Sequence, residues 1–286
     1  MSASTRNLRD LLRGEAPFIA ADCYSALTAR IVEHVGFKVA YMGGHATGMM
    51  HYAVPDCGVL TPTEMIEQAG RVAEAISIPL VVDADQAGES VADVFRSIGR
   101  YERAGVAGVH IEDEIAPKHS AFDGPLLSIS DMQARIGAAA DGRRDTDFVI
   151  IVRTDELYSV GGGGSGSLEE AIKRGVAYAE AGADAFLPTF ASEEQLTDIA
   201  AEVKIPLGGY GPLLPNLQFS LFTGFGTAAA ARAHYELATH LFEHGELPAD
   251  AFAFPEKDAL IDQGRYDSVI RDWAQRTGRP LRPRPS

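Results

Sequence analysis

Three stretches of the chain share one order: a helical apolar period, a turn built on glycine, then a short apolar and β-branched run. Ala29–His34 leads through Gly36 into Val39-Ala40-Tyr41-Met42, and Phe95–Arg103 leads through Ala104-Gly105 into Val106–Ile111. Leu168–Glu180 leads through Ala181-Gly182 into Ala185-Phe186-Leu187. Glycine just past a helix lets the chain turn left-handed and enter a strand. Near-continuous apolar strands alternating with amphipathic helices require a parallel sheet buried on both faces. Eight strand candidates follow: Phe18–Ala21, Val39–Met42, Leu80–Asp83, Val106–Ile111, Phe148–Val152, Ala185–Leu187, Ile205–Gly208 and Phe219–Phe222. Ile78-Pro79 and Ile205-Pro206 put proline at strand entrances, where a missing N–H costs least. Eight is the number that closes a barrel. An open doubly wound sheet usually has fewer strands, and no Gly-x-Gly-x-x-Gly turn follows the first one. The expected fold class is α/β, a (β/α)8 barrel.

Helical patterns continue past the last strand, over Ala228–His244 and Tyr266–Arg276. The expected organisation is one barrel domain over residues 1–286, with 228–286 as a C-terminal helical extension able to pack on a neighbouring subunit. A length of 286 residues suits a single barrel. The net charge of −15, with no basic stretch before Arg276–Arg284, excludes a nucleic-acid binder. No apolar run reaches the length of a membrane span, and Met1–Arg13 is polar and charged, unlike a signal peptide. Only Cys23 and Cys57 are present, which fits packing residues in a reducing cytoplasm, so a cytoplasmic location is expected. Gly161–Gly166 reads as a flexible surface loop.

Barrel enzymes carry their chemistry at the C-terminal ends of the strands. The third strand ends Val82-Asp83-Ala84-Asp85, and the fourth Ile111-Glu112-Asp113-Glu114. Asp83 and Asp85 share one strand face, where two carboxylates repel unless a cation neutralises them. Acids converging from adjacent strand ends make a hard-oxygen site suited to Mg²⁺ or Mn²⁺. The competing reading is that these acids cap helices or face solvent. The fifth strand delivers Arg153, whose guanidinium can grip a carboxylate at two points or pair with the acids. The second ends Tyr41-Met42-Gly43-Gly44-His45, where consecutive glycines let backbone N–H groups approach an anion, or simply make a tight turn. His45 can donate to a substrate there, while His51 in its loop reads as structural.

In order and spacing, Cys23–Gly44, Pro55-Asp56, Pro79–Asp85, Ala104–Asp113 and Arg153-Thr154-Asp155 resemble the isocitrate lyase/phosphoenolpyruvate mutase superfamily, within it the shorter methylisocitrate lyase-like branch. The resemblance covers about Leu8 to Glu246. It implies a Mg²⁺ site at Asp83, Asp85 and Glu112. It implies that Tyr41, Gly43, Gly44, His45, Asp83 and Arg153 surround the substrate, with the backbone at Gly44 and His45 and the Arg153 side chain on its carboxylate. It also implies homotetramers that exchange a C-terminal helix. The shared chemistry is stabilisation of a pyruvate-like enolate.

The gating loop departs from the family pattern. The carbon–carbon lyases carry Lys-Arg-Cys-Gly-His after the fourth strand, and here Pro117-Lys118-His119-Ser120 stands there. Ser120 takes the place of the acid–base cysteine, and a hydroxyl is far less acidic than a thiol. The phosphonate branches have Lys-Thr-Asn or Lys-Thr-Thr, of which only Lys118 matches. Lys118, His119 and Ser120, with Arg153, are the candidate catalytic side chains. The lyases' glutamate at the sixth strand end is replaced within Leu187-Pro188-Thr189, and their asparagine after the seventh within Gly208-Gly209-Tyr210. The aspartate usual after Tyr24 is Ser25, and the usual Asp-Thr-Gly-Tyr-Gly is Asp85-Gln86-Ala87-Gly88-Glu89. The expected function is a Mg²⁺-dependent carbon–carbon lyase or decarboxylase acting on a small 2-oxo or 2-hydroxy di- or tricarboxylic acid. Two alternatives are a carbon–phosphorus hydrolase or mutase acting on a phosphonopyruvate-like acid, and a non-catalytic metal-dependent ligand-binding barrel.

Overall fold

The structure is a computed structural model that describes residues 2–120, 124–159, 162–251 and 254–281. Of the sequence expectations, parts of the gating loop (121–123), the glycine loop (160–161) and the C-terminal tail (282–286) lie outside the described residues. The chain divides into two compact units, Met1–Ala230 and Ala231–Ser286.

The first unit is the barrel. Its strands are β1 (Phe18–Asp22), β2 (Val39–Met42), β3 (Leu80–Asp83), β4 (Gly108–Glu112), β5 (Val149–Thr154), β6 (Ala185–Pro188), β7 (Gly208–Tyr210) and β8 (Phe219–Phe222). All pair in parallel, in the order β6-β5-β4-β3-β2-β1-β8-β7, and a bridge from Phe186 to Leu207 joins β6 to β7 and closes the ring. The seventh strand was expected at Ile205–Gly208 and forms three residues later. Pro206 has no N–H for the ladder, so its carbonyl instead accepts from the Phe186 N–H at 2.9 Å, and regular pairing starts beyond it.

Strand side chains alternate between two cores. Ala20, Val39, Val81, Ile151, Leu187 and Leu221 fill the barrel interior. Ala21, Ala40, Val82, Val109, Ile150 and Phe186 face the surrounding helices. Helix α1 (Ala3–Arg13) adds Leu8 and Leu12 to the interior cluster, each burial worth about 1.5–3 kcal/mol. The outer helices are α2 (Ala26–Val35), α4 (Pro62–Ala75), α5 (Val91–Arg103), α6 (Ile129–Gly142), α7 (Leu168–Glu180) and α8 (Glu193–Glu202). A short helix α3 (Gly44–Thr47), continued by a π turn over Gly48–Tyr52, follows β2. Local chemistry starts these helices. Ser25 forms a capping box with Thr28 at α2, and Thr61 with Glu64 at α4. Gly36 ends α2 at φ 107°, a conformation that favours glycine.

The second unit holds most of α9 (Thr227–His244), then α10 (Lys257–Leu260) and α11 (Gln263–Thr277). It exposes Phe242, Tyr235, Tyr266 and Val269. Among the described residues, no helix is long and apolar enough to cross a membrane. Cys23 and Cys57 are free thiols.

Candidate active site at the barrel mouth

Strand register assembles the charged cluster. The Cα partner of Asp83 on β4 is His110, and that of Glu112 on β5 is Arg153. His110 and Glu112 are two residues apart and share the inward face. One ligand atom each from Asp83, His110 and Glu112 lies within 4.8 Å of the other two. His110 was not among the sequence candidates, though its parity with Glu112 marked it as inward-facing. Its Nε2 shares a hydrogen bond of 2.9 Å with the Tyr41 hydroxyl and lies 3.5 Å from Asp83 Oδ1. Burial disfavours charge on both members of that pair. The neighbouring His110, Lys118 and Arg153 overcome it at Asp83 and hold the carboxyl below its ordinary range, whereas burial pushes His110 down.

Asp85 stands apart from that triad. It follows β3 at φ 48°, in a turn with Ala87 at φ 56° and Gly88 at φ 135°. Arg135 of α6 clamps this turn, donating to the carbonyls of Gly88 at 2.7 Å, Glu89 at 2.6 Å and Gln86 at 3.2 Å. The Asp85 carboxylate pairs with the buried Lys118 ammonium, which also donates to Glu112 Oε1 at 3.0 Å and lies 3.8 Å from Asp56. Burial and the neighbouring Asp83 and Glu112 raise the Asp85 carboxyl to about 7 against the pull of Lys118. The same carboxylates lift Lys118 well above its usual value despite its burial.

Arg153 forms the opposite side. Its Nε and Nη2 donate to the two oxygens of Asp155 at 2.8 and 2.6 Å, and Nε also to Thr189 Oγ1 at 3.1 Å. Nη1 lies 3.0 Å from Glu112 Oε2, and the guanidinium sits 5.6 Å from the centre of the Tyr210 ring. Arg153 is therefore paired with acids, the second of its two expected roles, and it also lines a cavity.

Asp113 does not converge on the site as the run of acids suggested. It faces outward and is a buried anchor, accepting from Thr154 Oγ1 and the Tyr178 hydroxyl at 2.7 Å each and from Arg174 at 3.1 Å. The Gly44 N–H donates to Asp83 Oδ2 at 3.0 Å. Both glycines mark close approach: an added Cβ would lie 3.1 Å from Asp83 Oδ2 at Gly44 and 3.1 Å from the Tyr41 ring at Gly43.

A cavity of about 280 Å³ opens here. Tyr41, Gly43, Gly44, His45, Asp83 and Arg153, the whole expected substrate shell, line it, as does His119. Asp85, Glu112 and Lys118 line an adjoining cavity of about 240 Å³. A larger space of about 920 Å³ lies at the opposite end of the barrel, around Phe18, Lys38 and Pro79, away from the paired carboxylates and cations. The three gating-loop candidates separate. Lys118 is buried among the acids, His119 borders the cavity 6.0 Å from the Tyr158 ring, and Ser120 is exposed with its hydroxyl donating to the Pro117 carbonyl at 2.8 Å. Asp22, at the end of β1, is a further cavity residue that sequence reasoning passed over. It accepts from the Gly224 N–H at 3.0 Å, and burial raises its carboxyl to about 6.

The donor set fits a hard divalent cation. Asp83 and Glu112 present buried oxygens side by side, and Asp85 adds a third carboxylate joined to Glu112 through Lys118. Asp85 Oδ1 and Glu112 Oε2 are buried without a hydrogen bond, held only by ion pairs.

Comparison with known proteins agrees with this geometry. Residues 8–228 match the phosphoenolpyruvate phosphomutase family. The chain is 34% identical over 220 residues to 2,3-dimethylmalate lyase of Eubacterium barkeri, covering 74% of each. It is 32% identical over 274 residues to an oxaloacetate decarboxylase of Rhodopseudomonas palustris, covering 94% of this chain and 91% of the relative. A crystal structure of phosphonopyruvate hydrolase with oxalate and Mg²⁺ superposes with a TM-score of 0.81 at 26% identity, covering 94% of this chain and 98% of the other. The matched family segment contains all eight strands and every mouth residue described above, so the protein is an enzyme of the phosphoenolpyruvate mutase/isocitrate lyase superfamily.

Proposed function

We propose that the protein is a Mg²⁺-dependent lyase, most directly a decarboxylase, that breaks a carbon–carbon bond in a small 2-oxo acid through a pyruvate-like enolate. The observation that carries this reading is Arg153 and Asp83 lining one cavity while both contact the Glu112 cluster, a carboxylate grip next to metal-type oxygens. Asp83, Asp85 and Glu112 would hold the ion, with His110 orienting Asp83. Bound there, Mg²⁺ supplies Lewis-acid stabilisation of charge developing on the oxygen of the 2-oxo group. Arg153 grips the substrate carboxylate, while Asp155 and Thr189 fix the plane of the guanidinium. Tyr41 and Gly44 shape the floor through their contacts to His110 and Asp83.

The position of Ser120 favours decarboxylation over aldol-type cleavage. A family lyase needs an acid at that position to protonate the leaving carbon, and here the hydroxyl is exposed and turned to the Pro117 carbonyl. Loss of CO₂ leaves its electron pair in the enolate, and water can return the proton to carbon. The oxaloacetate decarboxylases among the relatives support the choice, and 2,3-dimethylmalate lyase supports the broader carbon–carbon lyase reading. The apolar residues on the second unit, Phe242 and Tyr266 among them, support the further reading that the C-terminal helices meet another subunit in a homotetramer.

A panel of substituted malates, oxaloacetates and phosphonopyruvate tests the assignment, with released 2-oxo acid, CO₂ and phosphate measured in Mg²⁺ and in EDTA. Mg²⁺-dependent CO₂ release is expected. Phosphate release from phosphonopyruvate would transfer the protein to carbon–phosphorus chemistry. Tight oxalate binding with no turnover of any member would make it a ligand-binding barrel.

A further inference from the structure

The cavity has a charged side and an aromatic side. Asp83 and Arg153 mark the first. The second is built by Tyr158 beyond β5, Phe190 beyond β6 and Tyr210 at the end of β7. The Phe190 ring packs edge-on against Tyr158 with centroids 4.8 Å apart and lies 6.4 Å from Tyr210. Phe190 is 63% exposed and sits at φ 58°. A bulky residue in that backbone region is strained, and an exposed phenyl ring gains little by burial. Such a combination at a cavity edge points to use rather than packing.

We propose that this wall seats an apolar substituent on the third carbon of the substrate, up to the size of one aromatic ring. The inference rests on the decarboxylase reading and names its substrate class: an oxaloacetate-type acid substituted at that carbon. Charge supports it. Among the described residues lining the cavity, the basic side chains are Arg153, His45 and His119. Arg153 faces the substrate head, none of the three wall residues carries a cation, and His119 beside Tyr158 already has the Glu114 carboxylate 3.6 Å from its Nδ1. The strand end before Phe190 presents Thr189, whose hydroxyl already accepts from Arg153.

Size is consistent as well. A dry cavity of about 150 Å³ takes a benzene ring. The 280 Å³ here therefore holds a ring together with a three-carbon acid head.

The reaction also tolerates the wall. In such a substrate the carboxylate on the third carbon leaves as CO₂. The bond between them breaks, its electron pair becomes the enolate, and one proton from water adds to the third carbon to give the substituted 2-oxo acid. The departing group loses its charge as it leaves, so it requires no cation in the transition state.

Calorimetry on the full-length protein in Mg²⁺ tests the proposal with four probes: oxalate, pyruvate, phenylpyruvate and 2-oxoglutarate. Phenylpyruvate is expected to bind at least tenfold more tightly than pyruvate, and 2-oxoglutarate no more tightly than pyruvate. Phe190→Ala should erase the tenfold preference and leave oxalate affinity unchanged, and Tyr158→Ala should weaken the preference in the same way. Oxalate binding without an aryl preference overturns the wall alone. Absence of Mg²⁺-dependent oxalate binding overturns the head-site reading and the inference with it. A changed subunit number in Phe190→Ala, read by light scattering, would assign the ring to a contact between copies and overturn the proposal.

Discussion

Replacing Arg153 by lysine separates its two roles. The guanidinium makes two bonds to Asp155, one to Thr189 and an ion pair to Glu112, all within 3.1 Å. A lysine ammonium keeps the charge but concentrates its donors at one point, so it can serve one of the two carboxylates well and not both. Hydrogen bonds to charged groups are worth about 1.5–3 kcal/mol each, and the ammonium recovers part of what is lost. The expected net destabilisation is about 2–4 kcal/mol, or a fall in Tm of about 5–15 °C for a barrel of this size. A bound carboxylate loses one prong of its grip, which predicts oxalate affinity lower by about 10- to 150-fold. Lysine is preferred to alanine because alanine leaves Asp155 and Glu112 buried and short of a cation, at about 3–5 kcal/mol. Calorimetric titration with oxalate in Mg²⁺, beside thermal denaturation, reads both effects. A variant that loses stability yet binds oxalate like the wild type would show that Arg153 only braces the acids.

Asp85→Ala should keep the barrel folded and remove both the Mg²⁺-induced rise in Tm and the metal-dependent activity, because Lys118 retains Glu112 as its partner. A full Mg²⁺ response in the variant would exclude Asp85 from the metal site. Ser120→Ala should slow turnover tenfold or less, a barrier change of up to about 1.4 kcal/mol. A rate as low as that of an Arg153 variant would make Ser120 a direct participant. Asp22→Asn should change stability in a pH-dependent way. Folding raises this carboxyl from 3.8 to about 6, so its favourable contribution is present below the unfolded value and disappears as pH rises through about 6. Asparagine retains the acceptor for Gly224 and never ionises, so the variant should gain up to about 3 kcal/mol over wild type above pH 6 and nothing near pH 4. Denaturant unfolding at pH 4, 6 and 8 measures this, and a gain independent of pH would refute it.

The barrel was legible because its signals are local. Strands buried on both faces read as apolar runs, and glycine after a helix marks the returns at Gly36, Gly105 and Gly182, while proline marks those at Pro79 and Pro206. Strand ends then pointed to Asp83, Glu112 and Arg153, since one chain direction sets which end of every parallel strand is the working end. Non-local features stayed hidden. Asp113 and Glu112 look alike in sequence, and only pleat parity sends one outward to Tyr178 and Arg174 and the other inward. The same parity made His110 readable, had it been applied backwards from Glu112. The clamp of Arg135 on the turn carrying Asp85 joins residues 46 or more apart and leaves no mark in either segment. Ser25, set against an aspartate in the family pattern, proves to be the capping residue of α2, a role that serine and aspartate share.

The proposed binding of an acid by an acidic chain needs negative charge offset locally, and Glu112 lies where cations supply this. One of its oxygens is held by Lys118 and the other by Arg153, each at 3.0 Å. The same carboxylate therefore fixes a loop cation on one side and a strand cation on the other. Asp85 and Asp155 occupy the outer flank of each cation. The resulting row alternates in sign from Asp85 to Asp155, three carboxylates against two cations, so most of its charge cancels at a distance while it stays strongly polar at its surface. In the proposed function, a divalent ion beside Asp83 and Glu112 would meet carboxylates already ordered by strand register, and a substrate carboxylate would meet a guanidinium held in place by Asp155 and Thr189. Net charge describes how the whole molecule behaves in solution, and at the mouth the alternation along this row decides what binds.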